Sequence, residues 1–172
     1  MPFSVLFGIM SNMTNNDQQE KKEKTAEIVV WDEKYATGIE AIDTQHKQLV
    51  ELTNQLFIAC IAKPDILQTV FKEAMHKMVE YVHFHFDAEI KLLKTINFPQ
   101  LHEHKKMHDD LIKNILGAAN DYKDDKHFVP NHFVRTLKDW IFSHIAVHDK
   151  TYSFYVKEQI ISGKLSAQAL NI

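Results

Sequence analysis

Proline and glycine are both scarce, with four of each in 172 residues, which leaves little material for turns and favours long uninterrupted helices. Cysteine is nearly absent. The lone Cys60 excludes an internal disulfide framework and makes a reducing compartment the default. Arginine occurs once, at Arg135; the other basic residues are lysines, and the net charge is only -3. Nothing there resembles the basic stripe of a nucleic-acid binder. No apolar run approaches the roughly 20 residues needed to cross a bilayer, so membrane insertion is not expected. The first ten residues, MPFSVLFGIM, are apolar but lack a basic flank and a small-residue cleavage site, so a cytoplasmic protein is expected rather than an exported one.

What remains is ordinary in bulk: 45% hydrophobic and 25% charged residues, in a length that suits one domain with a substantial core. The polar run after residue 10 has the composition of a disordered segment. Residues 1–30 are therefore expected to form a flexible N-terminal extension, residues 31–160 a helical domain, and residues 161–172 a C-terminal tail that prolongs the last helix.

Beyond Pro2, prolines at 64, 99 and 130 divide the chain into four amphipathic segments, and the glycines fall near the expected segment ends. A first helix over about 39–62 carries Ile42, Leu49, Val50, Thr53, Leu56, Phe57 and Cys60 on one stripe. A second spans about 65–94. A third starts after Pro99, with Leu111, Ile112, Ile115 and Leu116 facing inward. A fourth follows Pro130 and reaches about 161. Short connections between long helices predict an all-α, up-down-up-down antiparallel four-helix bundle. Residues 31–38 should cross one end, anchored by Trp31.

Histidine is the enriched residue, at 11. His76, His83, His102, His127 and His132 read as residues of solvated faces. The others are spaced: His46 stands alone, His85 and Glu89 are four apart, His104 and His108 are four apart, and His144 and Asp149 are five apart. Residues four apart on a helix point the same way, so each such pair offers two donors to one point. All four helices place a donor on the apolar stripe, where unpartnered polar groups would cost several kcal/mol each. A metal relieves that cost. Seven nitrogen and oxygen donors exceed one structural zinc site and suit two ions, with imidazole and carboxylate together favouring iron. Glu89 and Asp149, the two carboxylates of the set, are the natural bridges. On a regular α-helix the five-residue step to Asp149 turns it about 140° from His144, so a sideways reach between two metals is expected. His148 is a competing candidate, expected at the surface or behind the ligands.

The runs WDEKYATGIEAIDTQHKQL, HFDAE, FPQLHEHKKMH and HIAVHDKTY resemble the hemerythrin family, in its bacterial branch of bacteriohemerythrins, over about residues 31–157. The resemblance implies that His104, His108 and His144 hold one iron and that His46 and His85 hold the other. It further implies that Glu89, Asp149 and an oxo or hydroxo group bridge the two non-heme irons, leaving an open position for O2 on the His46/His85 iron. Trp140 and Ile141 match positions that flank the gas pocket.

Five imidazoles against two carboxylates make an electron-poor site, unlike the carboxylate-rich centres of bundle oxidases, and this favours carrying O2 over cleaving it. The expected function is reversible O2 binding for storage, delivery or sensing, with an oxygen-using enzyme as a candidate recipient and no catalytic residue. The competing readings are a di-iron enzyme acting on nitric oxide or peroxide, and an iron-storage or iron-centre repair protein.

Overall fold

The computed structural model describes residues 27–62, 64–123 and 130–166. A 3-10 turn at Glu33–Tyr35 precedes α1 (Glu40–Cys60), α2 (Pro64–Thr95), α3 (Leu101–Lys123) and α4 (Pro130–Ser143). A π-helical turn, His144–Asp149, then leads without a break into α5 (Lys150–Ile161). Ser143, Asp149 and Lys150 all keep right-handed helical angles, so α4, the π turn and α5 form one rod. No strand occurs among the described residues.

Ring and side-chain pairs fix the direction of each neighbour. His46, early in α1, faces His85, late in α2. Phe71, early in α2, meets Tyr122 at the end of α3. Phe57, late in α1, lies beneath Arg135 near the start of the rod, while Ser153 far along the rod donates to the Thr37 carbonyl just before α1. His108 meets His144, and His104 lies nearer Tyr152. Successive rods therefore run antiparallel, and the architecture is the up-down-up-down bundle.

The core has two apolar parts. A large cluster joins Leu49, Leu56, Phe71, Met78, Val82, Leu111, Leu137 and Ile141, and a smaller one at the other end joins Ile39, Ile42, Leu92, Leu93, Phe98, Tyr152 and Val156. Every rod passes from one cluster to the other, and the buried histidines and carboxylates lie where it crosses. In α1, for example, His46 falls between Ile42 and Leu49, one helical turn from each. A polar layer is thus sealed above and below by hydrocarbon.

The ends of the rods follow local chemistry. α2 stops in a Schellman motif: Asn97 adopts φ 52°, Phe98 N–H donates to the Leu93 carbonyl and Asn97 N–H to that of Lys94. Pro99 then prevents further helix. The rod ends the same way at Gly163 (φ 70°), with Lys164 bonding back to Gln159. This corrects the expectation that the tail prolongs the last helix: the helix closes at Ile161, and Leu165 folds back against the smaller cluster. Residues 167–172 lie outside the described residues.

Three other expectations change. Gly117 is not near a segment end but lies inside α3, and Leu116 beside it is 44% exposed rather than inward. Of the N-terminal extension, residues 1–26 lie outside the described residues, but its last part is fastened down. Ile28 and Val29 N–H groups both donate to Asn54 Oδ1, and Asn54 returns a bond to the Val29 carbonyl. Trp31 reaches over the end of the layer, its ring 6.4 Å from that of His46.

Candidate metal centre

All seven spaced donors reach the polar layer, and all are buried: His46, Glu89 and Asp149 show no exposed surface at all. Helical spacing does this for α2 and α3, where His85/Glu89 and His104/His108 project from one face of each. The rod needs a different device. Its i→i+5 turn is wider than an α turn, so a five-residue step makes little more than one revolution. His144 and Asp149 therefore share a face, with Nε2 and Oδ1 3.2 Å apart. The expected sideways reach from a regular helix is corrected: the backbone, not the side chain, absorbs the extra residue.

Glu89 Oε2 lies 3.1 Å from His108 Nε2, 3.3 Å from His104 Nε2 and 3.9 Å from His85 Nε2. Asp149 spans the layer the other way, with Oδ2 3.3 Å from His46 Nε2 and Oδ1 facing His144 and, at 3.6 Å, His104. The donor atoms of Glu89, His104, His108 and His144 lie within 4.8 Å of one another, and so do those of His46, His85 and Glu89. Two groups of donors thus share Glu89, and Asp149 sits between them.

The close approaches are largely not hydrogen bonds. His46 Nδ1 and Nε2, His108 Nδ1 and both Asp149 oxygens are buried without a hydrogen-bond partner. His108 Nε2 and His144 Nε2 face each other at 2.9 Å. Native interiors rarely tolerate such groups, and a fully buried carboxylate with neither oxygen bonded demands a cation. Among the seven donors, His104 bonds to Glu89 and His108 to His144; the unpartnered nitrogens and oxygens converge on the layer as ligands of a body between them would. The donor set, imidazole and carboxylate without thiolate, fits iron.

Protonation of the two carboxylates fits the same demand. Burial alone would raise the Glu89 carboxyl, but bonds from His104 and His108 hold it well below the usual range. Asp149 is likewise opposed by burial and by Glu89, yet His144 and His46 bring it down to about 2. Burial drives His85 down to about 3 and also lowers His108. Burial works against His46 and His104 too, but Asp149 for the first and Glu89 for the second outweigh it and raise them. Both carboxylates are thus driven toward the charged form and His85 and His108 toward the neutral form, as metal ligation requires, while the carboxylates drive His46 and His104 the other way.

Around the donors lies an aromatic and apolar wall. Phe86 stacks on His108 (3.6 Å between centroids, 4° between planes), and half-buried Trp140 stacks on His144 (4.5 Å, 11°). A cavity of about 10 Å³ adjoins the layer, lined by His85, His144, Asp149, Trp140, Ile141 and Phe86 among others. That is at the lower limit for one water-sized molecule. Trp140 and Ile141 both line this cavity. Phe86, Leu49, Val82, Leu111 and Ile145 complete the lining; in a sequence, periodicity cannot tell such a cavity wall from packing.

Two further contacts were missed. Tyr152 OH donates to Glu89 Oε1 at 2.5 Å, and Gln45 Oε1 lies 3.0 Å from His85 Nδ1. Their proximity in sequence to Asp149 and His46 was the available signal. His148 is exposed, its ring 5.4 Å from that of His144, and stays outside both donor groups. Of the histidines assigned to solvated faces, His76, His83, His102 and His132 are exposed, and His127 lies outside the described residues.

Residues 37–153 match the family model of the hemerythrin HHE cation binding domain. Among curated relatives, the bacteriohemerythrin of Stenotrophomonas maltophilia is 28% identical over 140 residues, 77% of this chain and 84% of the relative. The bacteriohemerythrin of Clostridium acetobutylicum is 30% identical over 131 residues, 73% of this chain and 98% of the relative. A crystal structure of wild-type hemerythrin superposes with a TM-score of 0.68 at 21% identity, covering 73% of this chain and 95% of that one, a likeness of fold. With a family match across the four rods that carry the donor layer, the chain belongs to the hemerythrin family.

Proposed function

We propose that this protein binds O2 reversibly at a centre of two non-heme irons, for storage, delivery to an oxygen-using enzyme, or sensing, and does not catalyse a reaction. The donor chemistry supports two irons that Glu89 and Asp149 would share, together with an oxo or hydroxo group. On this reading His104, His108 and His144 hold one iron, and His46 and His85 the other. Three imidazoles plus two shared carboxylates would serve the first, against two plus two for the second, so the second would keep a position free.

The observation that carries the reading is the buried layer of seven imidazole and carboxylate donors, several of them without hydrogen-bond partners, beside a narrow cavity walled by hydrocarbon and aromatic rings. When bound, the irons supply electrons and an open coordination position for O2. The chain's own residues do the rest. Ile141, Leu49, Val82 and Ile145 exclude water, which slows loss of the reduced state, and Phe86 and Trp140 hold the imidazole planes of His108 and His144. The apolar wall offers no general base and little room for an organic substrate, which favours binding over catalysis. Cys60, single and half-buried, suits a reducing cytoplasm.

The test is to reduce the iron-loaded protein without air, admit O2, and then sweep the solution with argon while following the visible spectrum. A colour that appears with O2 and disappears on its removal is expected. Prompt, irreversible oxidation would overturn the carrier reading and favour an enzyme of nitric oxide or peroxide. Variable iron content without an O2-dependent colour would favour iron storage or iron-centre repair.

A further inference from the structure

We infer that Gln45 is a positioning residue for the iron on the His46/His85 side, fixing which nitrogen of His85 carries the proton. The inference rests on the two-iron reading above and adds to it a residue outside the seven donors.

His85 is fully buried, and its Nδ1 faces Gln45 Oε1 at 3.0 Å across the α1–α2 interface. A carbonyl oxygen only accepts, so Nδ1 must donate. The proton is therefore on Nδ1, and Nε2, turned toward Glu89, carries the lone pair a metal needs. The opposite orientation of the Gln45 amide would put a donor against Nδ1, move the ring proton to Nε2 and abolish ligation. The other histidine of this side has no such anchor: His46 Nδ1 is buried and unpartnered. Gln45 is thus the side chain that fixes a ligand ring on the iron with fewer protein donors.

Its chemical type matters as much as its position. Gln45 is one residue from His46 on α1 and half-buried, so its amide stands between the layer and the surface. A carboxylate there would pull the Nδ1 proton harder and make His85 a stronger donor. The neutral amide orients the ring while leaving the iron electron-poor, which suits holding O2 without oxidising.

Iron-loaded wild type, Gln45→Leu, Gln45→Glu and the control Gln55→Leu, an exposed glutamine of α1, would be compared. The readouts are iron per chain, the rate of iron release to a ferrous chelator, and the midpoint potential. Gln45→Leu should release one of its two irons about 10–100-fold faster, the usual effect of losing a ligand's hydrogen-bond partner, and leave the other as in wild type. Gln45→Glu should keep both irons, lower the midpoint potential and shift the visible bands of the oxidised protein, while Gln55→Leu changes nothing. Should Gln45→Leu fail to fold, the Gln45→Glu potential decides. Wild-type release rates and potential in both Gln45 variants would overturn the assignment. Fewer than two irons in the wild type would instead overturn the two-iron reading, and this inference with it.

Discussion

At the scale of single residues, the donors and the wall beside them should separate cleanly by experiment. His46 is buried and its ring nitrogens lack hydrogen bonds, whereas His76 sits on the surface of α2 opposite Glu80. His46→Ala should therefore bind about one iron per chain instead of two, while His76→Ala binds both, as metal analysis of gel-filtered protein would show. Equal iron in the two variants would remove His46 from the site. Ile141 tests the wall. Ile141→Thr puts a hydroxyl into the cavity lining and invites water, at a stability cost of about 1–3 kcal/mol. Oxidation of the O2-loaded protein should quicken by roughly tenfold, which needs only about 1.4 kcal/mol at the barrier. An unchanged oxidation rate in stopped-flow absorbance would make Ile141 plain packing. Spacing alone exposed the donors in the sequence, because they are polar residues on apolar stripes. The wall was not legible in the same way, since Phe86 or Val82 on such a stripe looks alike whether it touches a neighbour or a void. Gln45 and Tyr152 were hidden for a related reason: a residue that acts through a ligand follows no spacing of its own.

At the scale of elements, helix boundaries followed proline and, Gly117 apart, glycine, but the winding inside them did not. The π turn at His144–Asp149 has no marker in composition; its trace was the five-residue step between two donors, which a regular helix could not bring to one face. An i→i+5 turn holds one residue more than an α turn. Deleting exposed Ala146 should turn it into an α turn and keep α5 in phase with its partners. Deleting exposed Asp139 from α4 instead rotates everything beyond it by about 100°. The Ala146 deletion should thus lower Tm less than the Asp139 deletion, and the reverse order would contradict the account. Gly117 was expected near an end and lies within α3, where an added Cβ meets nothing within 4 Å. Gly117→Ala should raise stability by about 0.4–1 kcal/mol, chiefly by restricting the unfolded chain. Urea unfolding with an unchanged slope and a higher midpoint would show it, and a lower midpoint would mean that α3 needs the glycine.

At the scale of the whole molecule, two apolar clusters close off a layer that no water-exposed protein surface would keep in this form. The bundle was readable because four long amphipathic stretches with short connections leave few alternatives. That the layer divides unequally, with Glu89 shared and Asp149 between the groups, comes from the three-dimensional register of four rods. Placing the last part of the N-terminal extension on Asn54 also needed the fold, since nothing local in Ile28 or Val29 announces a distant amide. The central claim is that a pair of irons serves one gas molecule and returns it intact. The most direct measurement is O2 uptake per iron by the reduced protein, followed by its recovery on lowering the O2 pressure. One O2 per two irons, recovered in full, is the predicted result. Uptake of one O2 per iron, or O2 consumed and not returned, would contradict it.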